Sequence, residues 1–217
     1  MAKHIIFDCD GVLIDTEIVA AEVVSRFLRS AGVRISTEEF IERYTGKTFT
    51  DIIELLKAGN ELPKAFDTAA AVPALDQEIR NNQRPINGAP ELLGALNLPF
   101  SVVSNSAGDY VHEALEKLEV LHLVEERIFS AEQVAKGKPS PLVYQFAMEQ
   151  IKHAPEDVLV IEDSLSGVMA STAAGIKTIG FLGGSHIRKG HAEKLMALGC
   201  HETVNTHAEL AQLLAGH

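Results

Sequence analysis

Residues 5–15, Ile-Ile-Phe-Asp-Cys-Asp-Gly-Val-Leu-Ile-Asp, run an apolar stretch straight into two carboxylates and a glycine. A short apolar run closed by a glycine turn predicts a fully buried strand. Carboxylates at the end of such a strand are costly unless something pairs with them. A hard cation such as Mg²⁺, which takes oxygen ligands, is the simplest partner for Asp8 and Asp10. On this stretch alone a solvated strand end with chance acids is the competing reading. The rest of the chain weighs against it, because the later predicted strands also end in, or lead to, complementary polar residues.

Beyond the acidic strand the pattern is helical. Ile18, Val19, Ala21, Val24, Phe27, Leu28 and Ala31 recur at helical spacing before Gly32. Thr37-Glu38-Glu39 opens a second helix with a capping residue and acids in its first turn, and Phe49, Ile52, Ile53 and Leu56 stripe a third. Thr45-Gly46-Lys47-Thr48 between them is expected as a turn. Residues 62–83 are expected as two helical pieces, since Pro73 is poorly tolerated in a helix interior. No strand is expected between 16 and 85, which predicts a small helical subdomain at 16–85 and a core formed by 1–15 and 86–217.

From Pro85 onward strands and helices alternate. Strands are predicted at Phe100–Val103, Arg127–Phe129, Val158–Ile161, Thr178–Leu182 and, weakly, Thr203-Val204, with helices between them. This alternation implies βαβ units, hence an α/β fold with a parallel sheet flanked by helices. Ligands of such sheets bind outside the carboxyl ends of the strands. Asp8 and Asp10, Ser104, and Glu162 with Asp163 directly follow their strands, and Lys138 lies on a loop beyond the Ile128 strand. All are predicted to converge on one crevice.

Charge and cysteines narrow the function class. The net charge of −11 argues against nonspecific nucleic-acid binding, which rests on Lys and Arg neutralising phosphates. No apolar run approaches the ~20 residues of a membrane span, and Met-Ala-Lys-His leads directly into the first strand, so no cleaved signal is expected. Cys9 and Cys200 lack paired spacing, which fits a reducing compartment, and a cytoplasmic location is expected. Nothing in the chain decides oligomeric state, and a monomer is the expectation.

Asp8, Asp10, Glu162 and Asp163 form an oxygen-only set that favours Mg²⁺ over zinc or copper. Lys138 and Ser104 add a cation and a hydroxyl suited to anionic oxygens. An anion held by such groups fits phosphate, and a carboxylate is a nucleophile able to form a covalent phospho-enzyme. A second carboxylate two residues on suits protonation of the leaving oxygen and then activation of water.

These residues resemble the motifs of the haloacid dehalogenase-like superfamily, in particular its phosphatases with a helical cap inserted after the first strand. Asp8-Cys9-Asp10-Gly11-Val12 matches the first motif, Ser104 the second, Lys138 in Gly-Lys-Pro the third and Glu162-Asp163 the fourth, in the right order and over essentially the whole chain. The resemblance implies a Rossmann-like core with an all-helical cap, and a Mg²⁺-dependent phosphatase acting on a small phosphate monoester, a sugar phosphate or phosphoglycolate-like acid, through an aspartyl-phosphate. It implies Asp8 as nucleophile and Mg²⁺ ligand, and Asp10 as acid and base with its carbonyl on the metal. Asp163, with Glu162 directly or through water, would complete the metal site. Ser104, the Asn105 backbone and Lys138 would hold the phosphoryl group.

Asp10 disfavours dehalogenases and phosphonatases, which lack it. β-Phosphoglucomutases carry a histidine where this chain has Ala20, so a sugar-phosphate mutase is the alternative rather than the first reading. A receiver-like signalling module is a lower alternative, and the helical insertion counts against it. Related caps place a specificity loop at the position of Lys47, which makes it a candidate for substrate selection. Arg84, His186 and His191 are expected as solvated surface residues, and Cys9 as a structural residue turned away from the two aspartates.

Overall fold

The computed structural model describes residues 2–44, 47–124 and 126–215. The chain divides into two compact units, one formed by 1–15 and 84–217, the other by 16–83.

In the first unit six strands are described: β1 (His4–Phe7), β2 (Phe100–Ser104), β3 (Ile128–Ser130), β4 (Val158–Glu162), β5 (Lys177–Phe181) and β6 (Glu202–Val204). They form one all-parallel sheet in the order β3-β2-β1-β4-β5-β6. This is a doubly wound, Rossmann-like arrangement whose order reverses at β1, so a crevice opens at the carboxyl end of that strand. Strand alternation sorts the side chains between two faces. Ile5, Phe7 and Cys9 join one hydrophobic cluster with Leu93, Val111, Leu115 and Leu210, from helices Ala89–Ala95, Gly108–Lys117 and His207–Leu214. Ile6, Val103 and Val160 join another with Val143, Ala147 and Ala170, from helices Leu142–Ile151 and Leu165–Ala173.

The chain leaves this unit after Asp15 and re-enters it at Arg84. The Asp15 N–H donates to the Arg84 carbonyl (3.1 Å) and the Ile86 N–H to the Leu13 carbonyl (2.9 Å). These bonds place Arg84 and Pro85 with the sheet unit, which the sequence reading resumes only at residue 86.

The second unit has helices Thr16–Ser30, Thr37–Tyr44, Phe49–Ala58 and Thr68–Asn81 among its described residues, and no strand. Ala21, Val24 and Leu28 pack with Phe40, Tyr44, Ile53 and Leu56, while Val19 and Val23 pack with Ala71 and Leu75. Of the predicted turn at 45–48, Thr45 and Gly46 lie outside the described residues. Thr48 caps the helix that follows, its hydroxyl accepting from the Asp51 N–H (3.2 Å).

The expectation for 62–83 is corrected. Residues 62–67 are not helical, and Pro73 lies inside one continuous helix rather than between two. Pro73 falls in the second turn, where a missing N–H costs a single bond to the carbonyl four residues back. Asp67 caps the helix by accepting from the Ala70 N–H (3.1 Å), and alanines, the best helix formers, surround the proline. Among the described residues no helix is long and apolar enough to cross a membrane.

Candidate active site

Parallel register explains why acids meet. Ile6 stands opposite Val160 and Phe7 opposite Ile161, so the residue that follows β1, Asp8, of the same parity as Ile6, meets Glu162 at the end of β4. The Asp8 N–H continues the ladder by donating to the Ile161 carbonyl (2.9 Å). Two buried like charges need a cation, and Lys138 supplies it from the loop beyond β3. Its ammonium donates to Asp8 Oδ1 (2.7 Å), Glu162 Oε1 (2.7 Å) and the Val103 carbonyl (3.0 Å). An ammonium has three donors, and all three are used. Its side chain is only 3% exposed.

The loop that carries Lys138 is latched by Asn105. Asn105 Oδ1 accepts from the Lys138 N–H (2.8 Å) and its amide donates to the Lys138 carbonyl (3.0 Å). The sequence reading assigns a role to the Asn105 backbone; the structure shows what its side chain does.

Glu162 is fully buried and fully satisfied. Oε1 accepts from Lys138 and from the Tyr144 hydroxyl (2.9 Å), and Oε2 from the N–H (3.1 Å) and hydroxyl (3.0 Å) of Ser164. The carboxylate lies so close over the helix Leu165–Ala173 that a Cβ at Gly167 would fall 1.7 Å from Oε1. Tyr144 was absent from the sequence-based candidates, because its phenol sits on a helix stripe that otherwise signals only core packing.

Asp10 is turned to a different set of partners. Its Oδ2 accepts from the hydroxyls of Ser104 (3.1 Å) and Ser106 (2.8 Å), while Ser104 Oγ accepts from the Ser106 N–H (2.9 Å). Ser104 therefore spends its hydroxyl proton on Asp10. Cys9, between the two aspartates, is buried in the opposite cluster, as alternation predicts. Burial, then the charges of Asp10 and Asp8, push its thiol well above the usual cysteine range, so it stays protonated.

Asp163 completes the cluster. One oxygen each from Asp8, Glu162 and Asp163 lies within 4.8 Å of the others. Asp163 Oδ1 is buried without a hydrogen-bond partner, whereas Oδ2 pairs with His186 Nε2 (3.0 Å). Gly11 lies at φ +82°, and a Cβ there would fall 1.9 Å from Asp163 Oδ2, so the first and fourth acidic segments can meet only around a glycine. His191 Nε2 donates to the Asp163 carbonyl (2.6 Å). The expectation that both histidines are solvated surface residues is thus corrected. Their contact depends on the loop after β5 folding back over β4, which nothing local in His-Ile-Arg-Lys-Gly-His announces.

The electrostatics are those of an under-neutralised acidic pocket. Burial, and then the charge of Glu162, push the Asp8 carboxyl well above the usual carboxylate range, against the pull of Lys138. The same two causes, in the same order, raise Asp163. Burial would lower the Lys138 ammonium, but the charges of Asp8 and Glu162 outweigh it and hold it well above the usual lysine value. Of the four carboxylates Asp8, Asp10, Glu162 and Asp163, the Lys138 ammonium pairs with two, Asp8 and Glu162. Excess charge, an all-oxygen donor set and an orphaned buried carboxylate oxygen fit a divalent cation of the Mg²⁺ type. Lys47, in the helical unit, is exposed, and its N–H donates to the Tyr44 carbonyl (3.0 Å).

Known proteins are similar to this chain. The model of the haloacid dehalogenase-like hydrolases matches residues 5–181. A 6-phosphogluconate phosphatase of Escherichia coli K12 is 26% identical, over 85% of this chain and 84% of its own length. The validoxylamine A 7'-phosphate phosphatase of Streptomyces hygroscopicus subsp. limoneus is 30% identical, over 83% of this chain and 85% of its own. Among solved structures, a haloacid dehalogenase family hydrolase from Deinococcus radiodurans R1, with bound phosphate and sodium, is 31% identical and superposes with a TM-score of 0.85 over 99% of this chain and 96% of its own. By its sequence, its sheet order and its acidic strand ends, the chain belongs to the haloacid dehalogenase-like hydrolase family, in the part whose curated relatives are phosphoric monoester hydrolases.

Proposed function

We propose that the protein is a Mg²⁺-dependent phosphatase that hydrolyses a small organic phosphate monoester, a sugar phosphate or phosphoglycolate-like acid, through a phosphorylated Asp8. The observation that carries this reading is the Asp8 carboxylate held by the Lys138 ammonium inside an acidic cluster that is short of positive charge. The relatives' activities on small phosphorylated metabolites support the substrate class.

Lys138 engages Asp8 through Oδ1, which fixes the carboxylate and leaves Oδ2 to attack phosphorus. The P–O bond to the leaving alcohol breaks as the Asp8–phosphorus bond forms, and Asp10 donates a proton to the departing oxygen. Asp10 then takes a proton from water, whose oxygen attacks phosphorus, releasing inorganic phosphate and regenerating Asp8. Ser104 and Ser106 orient Asp10 through its Oδ2 in both steps. Lys138 offsets negative charge beside the phosphoryl group, and with the Ser104 and Ser106 hydroxyls spent on Asp10, the Asn105 N–H is the donor of the 104–106 turn left for its oxygens. Asp8, the Asp10 carbonyl and Asp163 Oδ1 would hold Mg²⁺, with Glu162 behind them as the anchor of Lys138. Bound there, Mg²⁺ neutralises phosphoryl oxygens and permits a dianion to enter an acidic pocket. Lys47, exposed in the helical unit, serves substrate selection.

The test is phosphate release from a panel of sugar phosphates and phosphoglycolate-like acids, with Mg²⁺ or EDTA, for the wild type and Asp8→Asn. Mg²⁺-dependent turnover that vanishes in Asp8→Asn is expected. Undiminished turnover in Asp8→Asn would remove Asp8 as the nucleophile.

A further inference from the structure

Asp163 is held from an unexpected side. The segment after β5 carries Ser185 and His186 in its loop and His191 as the first residue of the helix His191–Ala197, and is tied down at three points. Ser185 Oγ donates to Asp15 Oδ1 (2.6 Å), His186 Nε2 pairs with Asp163 Oδ2 (3.0 Å), and His191 Nε2 donates to the Asp163 carbonyl (2.6 Å). The loop is itself braced: the Ile187 N–H closes a turn on the Gly184 carbonyl (3.1 Å), and Arg188 Nη1 donates to the carbonyls of Ser185 (2.9 Å) and Ile187 (3.0 Å). One residue is thus gripped at its main chain and at one carboxylate oxygen by two imidazoles, one from the loop after β5 and one from the start of the helix that follows it.

The two Asp163 oxygens end in different states. Oδ2 sits between His186 and the space left by Gly11, where a Cβ would fall 1.9 Å from it. Oδ1 is buried, has no partner, and belongs to the carboxylate that closes the cluster with Asp8 and Glu162. A carboxylate with both oxygens unheld would turn about its last torsion, which is broad in aspartate. An imidazole nitrogen 3.0 Å from Oδ2 restricts that freedom.

We propose that His186 is a positioning residue of the metal site: its imidazole, with Nε2 3.0 Å from Asp163 Oδ2, holds the carboxylate so that Oδ1 is presented to a divalent cation, while His191 fixes the Asp163 main chain. The inference rests on the metal role given to Asp163 above. Outer partners of this kind typically carry roughly 10- to 100-fold in metal affinity.

The experiment is Mn²⁺ binding to the full chain, followed by the electron paramagnetic resonance of free Mn²⁺ and needing no turnover. His186→Leu, which keeps bulk without a donor, is expected to weaken binding roughly 10-fold or more. His186→Gln, whose amide nitrogen lies near the place of Nε2, is expected to recover most of the loss, and the shorter His186→Asn to recover little. If His186→Leu folds poorly, the Gln and Asn pair still separates donor reach from packing. Wild-type affinity in His186→Leu and His186→Asn, with affinity lost in Asp163→Asn, overturns the role of His186 alone. Wild-type affinity in Asp163→Asn removes the metal assignment beneath it. A directly bonded ¹⁴N in the spin-echo modulation of bound Mn²⁺ overturns positioning in favour of direct ligation.

Discussion

Lys138 does more at the site than its sequence context suggests. Gly-Lys-Pro in a loop reads as a cation offered to an anionic substrate, yet all three ammonium donors are taken by Asp8, Glu162 and the Val103 carbonyl. Its first task is to let two carboxylates share one end of the sheet. Lys138→Met is expected to lower kcat/KM about 10²–10³-fold or more, the scale of losing one preorganised donor at developing charge. It should also destabilise the fold by about 3 kcal/mol at neutral pH, because Asp8 and Glu162 lose their counter-charge. Lys138→Arg should not rescue activity, since a planar fork cannot reproduce three converging bonds from one atom. Steady-state kinetics with chemical denaturation checks all three. Near wild-type kcat/KM in Lys138→Arg would mean that charge alone suffices.

Elements were legible in the sequence to the extent that their signal is periodic. The apolar runs at Ile5–Phe7 and Val158–Ile161 mark strands whose register brings Asp8 and Glu162 together, and Cys9 falls on the opposite face by simple alternation. The cluster Asp8, Glu162 and Asp163 was legible for the same reason. The helix at 68–81 was not, because proline is a strong local breaker and only its distance from the cap makes it tolerable. Tyr144, the Asn105 side chain, His186 and His191 were not, because each acts across a loop or a layer that no local pattern encodes. Two helical glycines show the difference. Gly94 has nothing within 4 Å of an added Cβ and lies in Ala89–Ala95, so Gly94→Ala should stabilise by about 0.5–1 kcal/mol. Gly167 is also helical, but a Cβ there lands on the Glu162 carboxylate, which must then leave its four donors. Gly167→Ala should destabilise by about 3 kcal/mol or more and lower activity. Equal behaviour of the two variants in urea unfolding would contradict the position of Glu162.

At the scale of the molecule, the acidic site opposes the stability of the fold that builds it. Asp8 and Asp163 have pKa values raised by burial and by Glu162, so the folded metal-free protein binds more protons than the unfolded chain. Stability therefore falls as pH rises from the unfolded carboxylate range toward the raised folded values, and acidification relieves the site. His4 acts in the opposite sense. Buried against Ser101, with which its Nε2 shares a 2.7 Å bond, it is lowered from 6.5 to about 4 by burial first and by His153 and Arg127 next. Between those values the unfolded chain binds the extra proton, and stability on the order of 2 kcal/mol is lost as pH drops through that window. A cation at the acidic cluster removes the first effect and leaves the second. Mg²⁺ at about 100 times its Kd should add about 2.7 kcal/mol, or about 5–10 °C in the midpoint of the sheet unit. Asp163→Asn should raise the metal-free midpoint at neutral pH and abolish the Mg²⁺ shift, since it deletes one buried charge and one ligand together. Scanning calorimetry with EDTA or Mg²⁺ between pH 5 and 8 checks both. A metal-free Asp163→Asn less stable than the wild type would show that the carboxylate supports the fold, and that charge crowding is not what the metal relieves.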